Sequence, residues 1–184
     1  MLKEKIREWE KGSANPIPDS KYERYKEKLV ELSKEYHERN LMLFLLARAT
    51  GYRMQDIITL TIGEIKDALD KGYFEIQEQK QYKQWQSEVA KNPNRRKPKK
   101  RVAEIGPALE KHLRQYVKSK KRSEFAFPSR KGKGNEALTQ KSFSDKLKEV
   151  GEAIGLEHIT GHSPRKTYAT KIYSETNGNL EAVR

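Results

Sequence analysis

Three short stretches carry side chains suited to chemistry on an anion. Arg53 follows the glycine turn Thr50-Gly51-Tyr52. A guanidinium at such a turn can hold a phosphate through two parallel charge-assisted bonds, provided something fixes its fork. Asp56 lies three residues on and can hydrogen-bond to that fork or to a neighbouring basic side chain. The plainer reading of Arg53 and Asp56 is a surface ion pair worth roughly a few tenths of a kcal/mol. His162-Ser163-Pro164-Arg165 is the second stretch. Ser163 suits a helix N-cap and Pro164 the first helical position. Arg165 then falls in the first turn, where a cation opposes the helix dipole. A bound anion would turn that cost into an advantage, because helix N-termini attract phosphate. His162 and Arg165, three apart, can meet one phosphate together; a lone histidine is more often structural. The third is Lys80, closing the strand-like run Glu75-Ile76-Gln77-Glu78-Gln79-Lys80. It could donate a proton to a leaving oxygen, although a solvated lysine is the plainer reading.

These residues need a scaffold, and the apolar pattern predicts one. Segment 2–10 reads as a short charged helix and 13–18 as a linker loop. Asp19 or Ser20 caps a helix reaching about Arg39, with Tyr22, Tyr25, Leu29 and Leu32 at helical spacing. Segment 41–50 is apolar nearly all round, the mark of a buried central helix, and Gly51 ends it. A short helix follows over 53–60. Tyr73-Phe74-Glu75-Ile76 and segment 100–105 read as strands, and Phe125-Ala126-Phe127 as a third. Pro107 opens a helix to about Lys118, and segments 139–153 and 163–175 are helical. Asn177-Gly178 is a turn, with a last helix starting near Asn179. The expected fold is α+β: one mostly helical domain over residues 1–184 with a small three-stranded antiparallel sheet. Residues 1–18 form its N-terminal helix and linker, and 81–99 a basic inter-strand loop.

Composition narrows the partners. The chain carries 39 Lys+Arg against 26 Asp+Glu, a net charge of +13. Such an excess favours a polyanion through steering and counterion release. Arg95, Arg96, Lys97, Lys99 and Lys100 form one cluster, Arg130 and Lys131 another, and both are candidates for phosphate contact. There is no cysteine, which excludes disulfides and cysteine-based zinc sites. His158 and His162 are four apart, but Gly161 sits between them and no carboxylate box resembles a zinc helix. No apolar run approaches the roughly 20 residues of a membrane span. The N-terminus lacks a signal-peptide stretch, so a cytoplasmic location is expected.

In chain order these features run Thr-Gly-x-Arg-x-x-Asp at 50–56, a lysine at 80, Arg-Val-x-x-Ile-Gly-Pro-x-Leu at 101–109, and His-x-x-Arg at 162–165 with Thr-x-Ala-Thr behind it. This order resembles the catalytic domain of the tyrosine recombinases, the phage integrases and their relatives, over roughly residue 16 to the end. The resemblance implies that Arg53 and Arg165 clamp the scissile phosphate and stabilise its pentacoordinate transition state. It implies that His162 assists proton movement, that Lys80 protonates the leaving 5′-oxygen, and that Asp56 supports the arginine site. Lys83, Lys99 and Lys100 are rivals to Lys80. The family uses no metal or other cofactor. A tyrosine attacks the phosphate and forms a 3′-phosphotyrosyl link.

The departures shape the expectation. Tyr52 stands where the family usually has leucine, and Ser163-Pro164 where Asp-Leu is commoner. The Leu-Gly-His-like box and the attacking tyrosine that follow in the family are not found before Arg184; Tyr168 and Tyr173 read as packing residues. The family's separate N-terminal DNA-binding domain is likewise expected to be absent. The chain is therefore read as a catalytic core cut off before its nucleophile and inactive by itself. It would bind double-stranded DNA, monomeric alone and tetrameric on DNA as the complete protein, with no membrane partner. The alternative reading is a non-catalytic DNA-binding relic or a regulator of a recombinase.

Overall fold

A computed structural model describes residues 13–130 and 134–179. The expected helix at 2–10, the start of the last helix beyond Asn179 and the position of Lys131 lie outside these residues. The element order is α1 (Tyr22–Ser33), α2 (His37–Thr50), α3 (Met54–Ile58), α4 (Ile62–Lys71), β1 (Tyr73–Ile76), α5 (Gln79–Val89), β2 (Arg101–Glu104), α6 (Pro107–Val117), α7 (Gln140–Ala153) and α8 (Ser163–Glu175).

Helix α2 is the central post, packed by α1, α3, α6 and α8. It buries Met42, Leu43, Phe44, Leu46 and Ala47. Each large apolar side chain so buried contributes about 1.5–3 kcal/mol. Tyr25 of α1 stacks on Phe44 with ring centroids 5.2 Å apart. Its hydroxyl donates to the Leu147 carbonyl of α7 at 2.7 Å, which satisfies a buried polar group while tying two helices. Burial raises the Tyr25 pKa far above its ordinary value.

The expected long helix to Arg39 is broken instead at Lys34, which takes a positive φ of 51°. A 3-10 turn, Lys34–Tyr36, joins the two pieces. Asn40 lies inside α2, where its amide donates to Ser33 Oγ at 3.0 Å and braces the break. Helix α4 occupies residues to which the sequence reading assigned no element. A reciprocal capping box of Thr61 and Glu64 opens it, and Gly72 closes it in the left-handed region.

The sheet has two strands, not three. Strands β1 and β2 pair antiparallel, with Tyr73 opposite Glu104 and Ile76 opposite Arg101. Phe125-Ala126-Phe127 is pinned differently. The Ala126 N–H donates to Leu60 and the Leu138 N–H to Phe127, and only single bridges form, Thr61 to Phe125 and Pro128 to Ala137. A ladder cannot grow because residue 62 already enters α4 and Pro128 has no N–H to donate.

The basic inter-strand loop expected over 81–99 is also corrected. Its first half is helix α5, and only the part beyond it is irregular. Tyr82 and Trp85 lie one helical step apart with ring centroids 5.4 Å apart. Trp85 Nε1 donates back to the Arg95 carbonyl at 3.0 Å, so the basic segment folds against its own helix.

Candidate functional site

The stretches that carry Arg53 and Arg165 meet. Arg53 sits at the N-cap of α3 in extended backbone, directly after the Gly51 turn that ends α2. Gly51 has φ +61°, and a Cβ there would lie 2.2 Å from the Tyr168 ring. Only glycine fits that position, on both backbone and packing grounds. Arg165 stands in the first turn of α8, as the sequence predicts. The helix begins at Ser163 with His162 in the cap position, one residue earlier than expected. The Ser163 hydroxyl accepts from the Thr160 N–H at 3.0 Å rather than capping the helix.

Both guanidinium groups reach Glu78, at the N-cap of α5. Arg53 Nη1 lies 2.7 Å from Glu78 Oε2. Arg165 Nη1 donates to the other oxygen, Oε1, at 3.1 Å. Arg101, the first residue of β2, brings a third guanidinium 3.9 Å from Oε1 and donates to the Gly51 carbonyl at 3.2 Å. The Glu78 side chain is 6% exposed, while Arg53, Arg101 and Arg165 are each 21–33% exposed. The arginines thus form the solvent-facing side of a cluster whose buried floor is one carboxylate. Arg53 Nη1 is buried without an aligned acceptor, so its contact with Glu78 is an ion pair with donor capacity in reserve. Burial alone would raise the Glu78 pKa; the Arg165 hydrogen bond and the charges of Arg53 and Arg165 outweigh it and hold the carboxyl below its ordinary value.

Asp56 bonds neither to the Arg53 fork nor to a neighbouring basic side chain. Its Oδ1 accepts the Gln79 N–H at 3.0 Å and so anchors the backbone beside Glu78. Its Oδ2 is buried without a partner. Burial raises the Asp56 pKa, offset only in part by the Gln79 bond.

Tyr52, the departure from leucine, has a structural use. Its hydroxyl donates to the Arg101 carbonyl at 2.6 Å and lies 3.2 Å from that of Phe74. A buried tyrosine thereby joins the Arg53 turn to both strands of the sheet. Burial pushes its pKa up to about 12. Tyr168 packs on Gly51, with Arg101 over its ring at 5.8 Å. Tyr173, expected to pack, is instead exposed on α8.

Lys80 and His162 are not drawn into the cluster. Lys80 lies in the first turn of α5, not at the end of a strand, because β1 stops at Ile76. Both side chains are exposed and form no hydrogen bond or ion pair with the cluster among the described residues. Of the basic candidates, Arg95 pairs with Glu88 at 2.5 Å, Lys100 with Glu75 at 3.4 Å, and Lys97 covers the Tyr82 ring at 5.1 Å. Arg96, Lys99 and Arg130 are exposed.

Sequence reasoning missed Glu78 and Arg101. Arg101 opens the strand motif at 101–109 but was assigned no role of its own. Glu78 is an acid three residues beyond Glu75 with no pattern around it; only the fold shows that two arginines converge there.

Comparison with known proteins bears on the family and the fold. The family model described as the phage integrase family matches residues 22–183. The probable integrase/recombinase YoeC of Bacillus subtilis (strain 168) is 27% identical over 148 residues, 80% of this chain and 70% of that protein. The XerH site-specific recombinase bound to its difH substrate superposes with a TM-score of 0.63 at 19% identity, covering 92% of this chain and 45% of that one. The Tn1549 transposon integrase in complex with a circular intermediate DNA gives a TM-score of 0.65 at 11% identity, covering 95% and 57%. The chain therefore spans about half the length of these solved relatives. With that family model matching most of its length, this chain belongs to the phage integrase family.

Proposed function

We propose that this chain is the phosphate-gripping core of a site-specific DNA recombinase. One observation carries the reading: Arg53 and Arg165, far apart in the sequence, address the two oxygens of a single anionic group, Glu78. Forks arranged around one carboxylate are arranged for one phosphodiester, whose two non-bridging oxygens also share one negative charge. The XerH recombinase is bound to its difH substrate and the Tn1549 integrase to a circular intermediate DNA, and the +13 charge of this chain suits a DNA partner.

In this reading the scissile phosphate sits against Arg53 and Arg165. A tyrosine hydroxyl attacks phosphorus, the new bond is a 3′-phosphotyrosyl ester, and the 5′-oxygen leaves. The arginines stabilise the charge that builds on the equatorial oxygens, the largest expected contribution to rate. Lys80 is the proposed donor to the leaving oxygen, and His162, in the cap position before Arg165, the proposed second proton carrier. Arg95, Arg96, Lys97, Lys99, Lys100, Arg130 and Lys131 are proposed to hold the flanking backbone. The ester conserves the bond energy, so the strand can be rejoined.

The test is Arg165→Ala in the complete recombinase. Strand exchange on its own target should fall by about 10²–10³, the effect of losing one charge-stabilising donor. Wild-type rates in that variant would remove the assignment.

A further inference from the structure

We propose that Glu78 is a positioning residue that yokes Arg53 and Arg165 at the separation needed to grip one phosphate. The proposal rests on the phosphate-cradle reading above and assigns a role to a residue outside the motifs that carry that reading.

Two guanidinium groups brought to one spot repel each other, and the more so away from bulk water. Glu78 offsets that repulsion without using up the forks. Each arginine gives it one nitrogen, Nη1. A guanidinium has five N–H donors, and neither side chain forms another hydrogen bond or ion pair among the described residues. The Nε and Nη2 groups therefore remain for a ligand.

The yoke is itself fixed. Asp56 holds the Gln79 N–H on one side, and the Tyr82 N–H donates to the Glu78 carbonyl at 3.0 Å on the other. The side chain is almost fully buried. Glu78 need not leave when a phosphate arrives, because Arg53, Arg101 and Arg165 outnumber it and the cluster stays net positive.

Charge and geometry make opposite predictions for Glu78→Gln. Removing a negative charge beside an anion site would tighten anion binding if charge alone mattered. A yoke predicts the reverse, because the glutamine amide offers an N–H₂ where one arginine needs an oxygen. The experiment is an NMR titration of the 184-residue chain with inorganic phosphate, reading the Nε–Hε signals of Arg53 and Arg165. In the wild type both signals should move with one shared dissociation constant. In E78Q the affinity should fall about tenfold, the scale of one charge-assisted bond, and the two signals should no longer titrate together. Equal or tighter binding in E78Q would overturn the proposal. Glu78→Asp keeps the charge on a shorter arm and should bind phosphate more tightly than E78Q but less tightly than wild type. If thermal melting shows E78Q unfolded, E78D carries the test alone, and wild-type affinity there would overturn the yoke. A wild type in which phosphate moves neither arginine signal would overturn the cradle itself, and the yoke with it.

Discussion

Arg53 and Arg165 approach opposite oxygens of one carboxylate, at 2.7 and 3.1 Å. A substitution at either should therefore be felt by the other. Arg165→Lys keeps the charge but loses the planar fork. Its affinity for inorganic phosphate, measured by calorimetry, should drop about tenfold, close to the loss in Arg165→Ala. If lysine preserves wild-type affinity, the site needs a charge and not a fork.

Gly51 connects the buried helix α2 to Arg53. Gly51→Ala forces a side chain into the left-handed region and into the Tyr168 ring. The conformational cost alone is about 1–2 kcal/mol, and the overlap adds to it. Urea unfolding should show a loss of at least about 2 kcal/mol. Wild-type stability would contradict the close Gly51–Tyr168 contact.

Asp56 and Glu78 should give stability opposite pH dependences. The Asp56 pKa is raised in the folded state, so ionising it costs stability as pH climbs from its ordinary 3.8 through the folded value. Asp56→Asn removes that cost while keeping an oxygen for the Gln79 N–H. The variant should thus gain on wild type between pH 3 and pH 7. The Glu78 pKa is lowered, so its contribution is complete above the ordinary 4.5 and is lost as pH falls through the folded value. Glu78→Gln should lose most against wild type at neutral pH and least in acid. Denaturant unfolding at several pH values checks both signs, and parallel curves for wild type and either variant would contradict the assignment.

Arg96, Lys99 and Arg130 are exposed, whereas Arg95, Lys97 and Lys100 are engaged within the chain. Alanine at Arg96 or Lys99 should lower the slope of log K against log salt for duplex DNA by about one per lost phosphate contact. Arg95→Ala should change the slope less, since Arg95 is already paired with Glu88. Equal slopes for all variants would place the DNA elsewhere.

Much of this arrangement is legible in the sequence where local physics decides it. The apolar run before Gly51 and Pro107 at a helix start each mark an element that the structure contains. Helix α4 carries a local signal too, the Thr61-x-x-Glu64 box that opens it. Helix α5 was harder. Its only partly buried side chains, among them Tyr82 and Trp85, cover no core, and the lysines between them blur the period. The break at Lys34 carries no glycine or proline and depends on the Asn40–Ser33 bond across it. Glu78 lay beyond reach for a different reason. Its importance comes from three arginines that are distant in sequence, and proximity of that kind exists only after folding.

The most direct measurement is a double-mutant cycle on phosphate binding with Arg53→Ala, Arg165→Ala and both together. If the two arginines grip one phosphate, each single variant should lose most of the affinity. The double variant should then be little worse, with a coupling of about 1–3 kcal/mol. Losses that simply add would mean that the two arginines act on separate anions, and would contradict the shared cradle.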